Sequence, residues 1–262
     1  MFFRQSRERI NAMEKVRVFN SFISKGTLKE CTEHIFSLTD MQLSSYVCFA
    51  NVHMIMEAYK DARFNRVLTD ADIVTADGAP ISKLMSHVYK YKQERIAGMD
   101  LLPFLLCEAA KRNKSVYFYG STQQVLETIE KKIVKEIPNL KIAGMYSPPF
   151  RNLSDYENTL IENKINDSRP DLVFVALGCP KQELWMANKK DKINACMLGV
   201  GQAFLVYAGV EKRLPKWMRN FCIEWIYRLY LEPGRLWKRY LINNSLFILL
   251  LPKFLFKAYT SK

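Results

Sequence analysis

Histidine is scarce. The chain has three in 262 residues, at positions 34, 53 and 87, and none lies beside a cysteine. A zinc site of paired Cys and His is therefore not expected. The six cysteines, at 31, 48, 107, 179, 196 and 222, show no CxxC spacing and mostly sit in apolar runs. They read as reduced, buried, cytosolic cysteines. No run reaches the roughly 18 continuous apolar residues of a spanning helix, so no membrane span is expected. The opening MFFRQSRERI is basic but has no apolar core, which argues against a secretory signal. GxxxxGK[ST] is missing, as is a GxGxxG followed by an acid about 20 residues on. Those absences weaken any glycine-rich phosphate motif here and argue against a nucleotide-dependent oxidoreductase. No internal repeat or low-complexity segment is present.

Acidic residues are in deficit, 26 against 39 Lys and Arg, for a formal charge of +13. A charge of that size implies an anionic partner: nucleic acid, anionic lipid or a phosphate-bearing substrate. Hydrophobic residues reach 49% and charged residues 25%, a globular composition with ample material for a core. The charge is unevenly spread. From Glu211 onward the chain holds eleven Lys and Arg against three Glu, and eleven of the 33 aromatic residues. This shift places a domain boundary near residue 210, with a main domain at 1–210 and a basic appendage at 211–262.

Before the boundary, short apolar runs alternate with amphipathic stretches. Strands are expected at Tyr46–Ala50, Asp72–Thr75, Ser115–Tyr119, Lys141–Tyr146, Leu172–Leu177 and Ala195–Val200. Helices are expected near 52–63, 78–90, 100–113, 122–136, 154–166 and 180–190, with Asp100, Thr122 and Ser154 as N-caps. Strands alternating with helices predict an α/β fold: a mostly parallel sheet with helices on both faces. Ligands of such sheets bind at the carboxyl ends of the strands, so the residues there are the candidates.

Asp77 follows a strand and precedes Gly78, which suits a general base beside a close ligand approach; a helix N-cap explains the same acid. Asp70-Ala71-Asp72 has the DxD form of a metal-holding motif, but it lies before its strand and reads as a surface turn. Tyr119-Gly120-Ser121-Thr122 and Gly199-Val200-Gly201-Gln202 are glycine turns that suit either phosphate or tight geometry. In Gly178-Cys179-Pro180-Lys181-Gln182-Glu183, Pro180 suits the first helical position, and Lys181 and Gln182 then project at the ligand edge. Cys179 has no histidine nearby in sequence to activate it. In the appendage, basic residues interleave with Trp217, Trp225, Trp237 and Tyr240, and Leu246–Leu251 is wholly apolar. The apolar run favours an interfacial membrane helix over a nucleic-acid surface. A helical cap packed on the core remains an alternative.

Taken together, these residues resemble the WecG/TagA/CpsF family of bacterial glycosyltransferases (glycosyltransferase family 26). The resemblance runs from about Val16 to Tyr240. It is carried by Ala50-Asn51, Thr75-Ala76-Asp77-Gly78, Arg95-Ile96-Ala97-Gly98 with Asp100, Gly178–Glu183, Gly199-Val200-Gly201 with Phe204 and Gly209, and Arg213-Leu214-Pro215. Glu224-Trp225, Arg228, Glu232-Pro233 and Arg235 close the set.

The resemblance implies a Rossmann-like domain and a basic appendage that docks on the cytoplasmic face of the membrane. It implies inverting transfer from a UDP-sugar to a polyprenyl-diphosphate-linked sugar, in the synthesis of wall polymer, capsule or exopolysaccharide. The sugars in question are N-acetylmannosamine, its uronic acid, glucose or glucuronic acid. No cofactor, metal or nucleic acid is implied, and a homo-oligomer is left open. Asp77 falls on the general base, and Arg228 and Arg235 on appendage arginines that approach the diphosphate. Asn51 and Gln182 fall on substrate-pocket positions, and Arg95 on a phosphate contact. Thr75, Gly78, Gly120, Lys181, Gly199, Gly201, Arg213 and Lys238 complete the expected binding set. Two positions depart from the pattern: Phe49 stands where many members have Thr, and Lys238 where they have Arg. Lys238 keeps the charge but loses the bidentate fork. The rival reading, a basic membrane or nucleic-acid binding module without catalysis, accounts for the appendage but gives the polar strand ends no purpose.

Overall fold

A computed structural model describes residues 13–215, 218 and 224–260, apart from the side chains of Glu224, Arg235 and Arg239. A small antiparallel hairpin, β1 (Lys15–Val18) and β2 (Ser21–Ser24), precedes α1 (Leu28–Asp40). Then come β3 (Ser45–Ala50), α2 (Val52–Lys60), α3 (Ala62–Asp70), β4 (Ile73–Ala76), α4 (Ala79–Tyr89) and α5 (Gly98–Lys111). They are followed by β5 (Ser115–Gly120), α6 (Gln123–Glu136), β6 (Lys141–Tyr146), α7 (Asp155–Asp167), β7 (Leu172–Ala176), α8 (Lys181–Lys189), β8 (Cys196–Leu198) and α9 (Ala203–Tyr207). The appendage supplies α10 (Glu224–Leu231) and α11 (Pro233–Thr260).

The six expected strands form one parallel sheet in the order β4-β3-β8-β7-β5-β6. The fold is Rossmann-like α/β, as the alternation predicts. Side chains alternate across the sheet. Val173 and Val175 join one apolar layer with Met54, Ile81 and Met85, while Leu172 and Phe174 join the other with Leu101, Leu105 and Ile129.

Helix starts follow local chemistry. Thr122 caps α6, and Ser154 caps α7 through a reciprocal capping box with Glu157. Asp100 is not an N-cap, because α5 begins two residues earlier and Asp100 sits in its first turn. Pro180 is the N-cap of α8 rather than its first helical residue. The helix expected at 52–63 is two helices, since Asp61 leaves the helical region and caps α3 with its carboxylate. Among the described residues the five cysteines are free, but Cys107 is exposed and Cys179 half-buried, against the expectation that they would be buried, and Cys222 lies outside the described residues.

Gly120 ends β5 at φ +110°, where an added Cβ would stand 2.4 Å from the Ala176 carbonyl oxygen of β7. Gly120→Ala should therefore cost at least the roughly 1–3 kcal/mol of a strained backbone. The check is a denaturant melt, and an unchanged midpoint would show that the strands can part there.

Helix α11 lies on the main domain. Phe247 is buried, Leu246, Leu250, Leu251, Phe254 and Leu255 pack against the core, and Phe19 meets Phe247 and Phe254 at 5.4 and 4.8 Å between ring centroids. Its segment Leu236–Thr260 is nonetheless long and apolar enough to cross a membrane by length and composition, contrary to the expectation from unbroken runs. Scattered polar residues such as Lys238, Asn243, Asn244 and Lys253 interrupt the run without lowering its mean hydropathy enough.

Candidate active site

All six strands point the same way, so their carboxyl ends share one edge, and a cavity of about 670 Å³ opens there. Its walls are Phe49 near the end of β3 and Asn51 after it, Asp77 and Gly78 after β4, Ser121 after β5, Leu177 and Gly178 after β7, and Gly199 to Gln202 after β8. Arg95 and Met99 add a second side. The appendage closes the third with Glu211, Trp225, Arg228, Tyr240, Asn244 and Ile248. The volume falls within the range of small-molecule sites. Ionisable side chains of both signs face it: Asp77 and Glu211 against Arg95 and Arg228.

Local structure explains these positions. The Asp77 N–H donates to the Ala50 carbonyl at 2.9 Å, which fixes the chain where it leaves β4. The N-cap of the following helix is Gly78, with no side-chain cap bond, so the N-cap reading of Asp77 does not apply. Asn51 is a cap: its Oδ1 accepts from the Met54 N–H at 3.1 Å while its residue lines the cavity. Ile96 N–H donates to the Ala76 carbonyl, and Thr75 Oγ1 donates to the Ile96 carbonyl at 2.8 Å. These bonds zip the 95–97 segment against β4 and carry Arg95 to the cavity wall.

Gln182, 4% exposed, stitches two strand ends together. Its Nε2 donates to the Gly199 carbonyl at 2.6 Å, and its Oε1 accepts from the Gly178 N–H at 3.1 Å. A side chain at Gly199 would collide with Met186 and crowd Gln182, and Gly201 has φ +52°.

The appendage is tied in by two arginines. Arg213 Nη1 donates to the Met99 carbonyl at 3.0 Å, and its other terminal nitrogen pairs with Asp100. Asp100 also faces Arg95 at 3.7 Å. Arg228 donates to Gln202 Oε1 and lies 3.8 Å from the Met99 sulfur, and Gln202 Nε2 donates to Glu211 at 2.5 Å.

Of the expected site residues, Asn51, Asp77, Gly78, Arg95, Gln182, Gly199, Gly201 and Arg228 border this one cavity. Thr75, Gly120, Lys181, Arg213 and Lys238 do not. Thr75 is buried against Ile96, Gly120 serves strand contact, and Arg213 anchors the appendage. Lys181 is exposed, and Lys238 is exposed with its ammonium 5.5 Å from the Trp237 ring centroid. The Arg235 side chain and Trp217 lie outside the described residues.

His53, Phe150, Gln202, Glu211, Tyr240 and Asn244 also line the cavity and were not among the expected site residues. For His53 the available signal was its place two residues after Asn51. Cys179 lines the cavity as well.

The DxD does not join the site. The Asp72 carboxylate accepts from the Tyr46 N–H at 2.9 Å and pairs with Lys190 at 3.1 Å, at the amino end of the sheet. Among the described residues no group of three His, Cys, Asp or Glu could hold a metal ion.

A parallel α/β sheet with a small-molecule-sized cavity at its carboxyl edge, bordered by ionisable side chains of both signs and closed by basic C-terminal helices, has the form of an α/β enzyme site. Residues 16–261 match the model of the glycosyl transferase WecG/TagA/CpsF family. The chain is 36% identical over 203 residues, 77% of either chain, to the N-acetylglucosaminyldiphosphoundecaprenol N-acetyl-beta-D-mannosaminyltransferase of Bacillus subtilis (strain 168). It is 27% identical over 228 residues, 86% of either chain, to the Staphylococcus aureus (strain NCTC 8325) protein of the same name. The chain belongs to the WecG/TagA/CpsF family and is a glycosyltransferase.

Proposed function

We propose that this enzyme transfers an N-acetylmannosamine-type sugar, with inversion, from its UDP conjugate to N-acetylglucosamine on a polyprenyl diphosphate. The acceptor and sugar follow the names of the similar proteins. The observation that carries the chemistry is the meeting of Asp77 and Arg228 in one cavity wall system, the first from a strand end and the second from the appendage.

Inversion needs a base to take the proton of the acceptor hydroxyl as its oxygen attacks the anomeric carbon. Asp77 fills that role. The bond to UDP breaks on the opposite face, and negative charge grows on the diphosphate. Arg228 and Arg95 stabilise that charge in a site shielded from water. Arg235 is assigned to the same diphosphate.

The exposed faces of α10 and α11 support docking on the inner face of the cell membrane. Trp237, Leu241, Ile242, Ile248, Leu249 and Phe256 are all exposed. Leu250, next to Leu249 in the apolar run, packs against the core. The packing of α11 on the main domain favours lying in the interface over crossing it.

The test is a screen of UDP-sugars against a polyprenyl-diphosphate N-acetylglucosamine acceptor, read by UDP release. UDP-N-acetylmannosamine should be turned over, and no release with any UDP-sugar would sink the proposal. With Asp72 committed to Lys190 and Tyr46, Asp70→Ala should be tolerated and EDTA should leave the rate unchanged. Activity lost to EDTA and restored by magnesium or manganese would overturn the arginine-based account of the leaving group.

A further inference from the structure

His53 stands second in α2 and borders the cavity. Its Nδ1 lies 2.7 Å from Asn243 Nδ2 on α11 and 3.5 Å from Glu57 Oε1. Asn243 is 2% exposed, although it belongs to the appendage. Which way its amide faces can be derived. Lys60 Nζ is 3.1 Å from Asn243 Oδ1, and an ammonium has only donors, so the amide oxygen must face it. On the other side Glu57 Oε1, 3.3 Å away, is an acceptor and needs the amide nitrogen. Both neighbours fix the same orientation. Burial pushes the Glu57 carboxyl up, but the hydrogen bond and charge of Lys60 draw it below the usual carboxylate value.

Asn243 therefore aims an N–H at His53 Nδ1. A proton on Nδ1 would set two N–H groups against each other at 2.7 Å. Nδ1 must accept, which places the ring proton on Nε2.

We propose that His53 is a further substrate-binding residue, whose Nε2–H donates to a phosphate oxygen in the cavity, and that Asn243 is the positioning residue that fixes this tautomer. The phosphate class rests on the proposed reaction, in which both substrates carry a diphosphate. The buried amide also gives α11 a second task besides packing: the donor is set correctly only while the helix is seated.

The tautomer can be read on full-length wild-type protein by ¹⁵N NMR of labelled histidine near neutral pH. His53 should show an unprotonated Nδ1 and a protonated Nε2, and the Nε2–H should shift on addition of UDP or of the polyprenyl-diphosphate acceptor. Whichever ligand shifts it identifies the diphosphate concerned. A protonated Nδ1, or no shift with either ligand, overturns the proposal.

His53→Phe should weaken binding of that ligand by roughly 10–100-fold, the usual range for a hydrogen bond to a charged group. His53→Gln, which retains an N–H donor, should recover part of it. Asn243→Leu should mix the tautomers. Equal affinity in His53→Phe and wild type for both ligands would also overturn the proposal. Failure of transfer with every UDP-sugar, with these shifts intact, would instead count against the proposed reaction alone.

Discussion

Asp77→Asn should lower transfer by roughly 10²–10⁴-fold, the loss that follows removal of a general base. The amide is nearly isosteric with the carboxylate but cannot take the acceptor proton. The backbone N–H of Asp77 keeps its bond to the Ala50 carbonyl, and the N-cap of α4 is Gly78. The melting midpoint and the affinity for UDP should therefore stay close to wild type. Turnover near the wild-type rate would remove Asp77 from proton transfer and move the search for a base to Glu211, the other carboxylate on the cavity wall.

The strands of the main sheet are legible in the sequence because each is a short apolar run bounded by polar residues, and a buried parallel strand needs little else. What escaped is instructive. The β1-β2 hairpin has four-residue strands, KVRV and SFIS, and turns at Phe19-Asn20 without a glycine, so neither its period nor its turn stands out. Helix α1 was legible in principle: Thr27 and Glu30 form a capping box ahead of Cys31, Ile35 and Leu38, which are buried at helical spacing.

The site divides along similar lines. Strand-end residues could be found because fold topology alone assigns that edge to ligands. Whether such a residue faces the ligand or the scaffold is set by contacts across the fold. Thr75 sits two residues before Asp77, yet its hydroxyl is committed to the Ile96 carbonyl. Gly120 ends a strand at the right edge, yet its missing side chain makes room for Ala176. Tyr240 and Asn244 reach the cavity only because α11 folds back over α2, an approach across some 190 residues of chain that no local pattern encodes.

Deleting residues 211–262 should abolish both transfer and liposome binding. The cut removes Arg228, Glu211 and Tyr240 from the cavity wall, together with the exposed apolar stripe of α11. The structure adds a consequence for stability. The sheet strands all precede the cut, but Phe247 is buried and Phe19 packs on Phe247 and Phe254, so the truncated protein exposes part of its core. Loss of a single buried Phe typically costs about 3–5 kcal/mol, and a lower melting temperature should accompany the lost activity. Point variants therefore separate the two tasks of the appendage more sharply. Arg228→Ala removes a cationic donor aimed into the cavity, and removal of one such donor costs on the order of 10²–10³ in kcat. Its liposome binding should be nearly intact, because ten of the eleven basic residues of the appendage remain. Each Lys or Arg near an anionic surface contributes about 1 kcal/mol, an attraction that fades with salt. Leu249→Ser should show the reverse: its side chain is 75% exposed and borders no part of the cavity. That variant should bind vesicles less well and lose activity on the long-chain acceptor, yet turn over a short-chain soluble acceptor at the wild-type rate. If Arg228→Ala keeps full turnover on the soluble acceptor, the appendage covers the site without acting on the diphosphate, and stabilisation of the leaving group falls to Arg95.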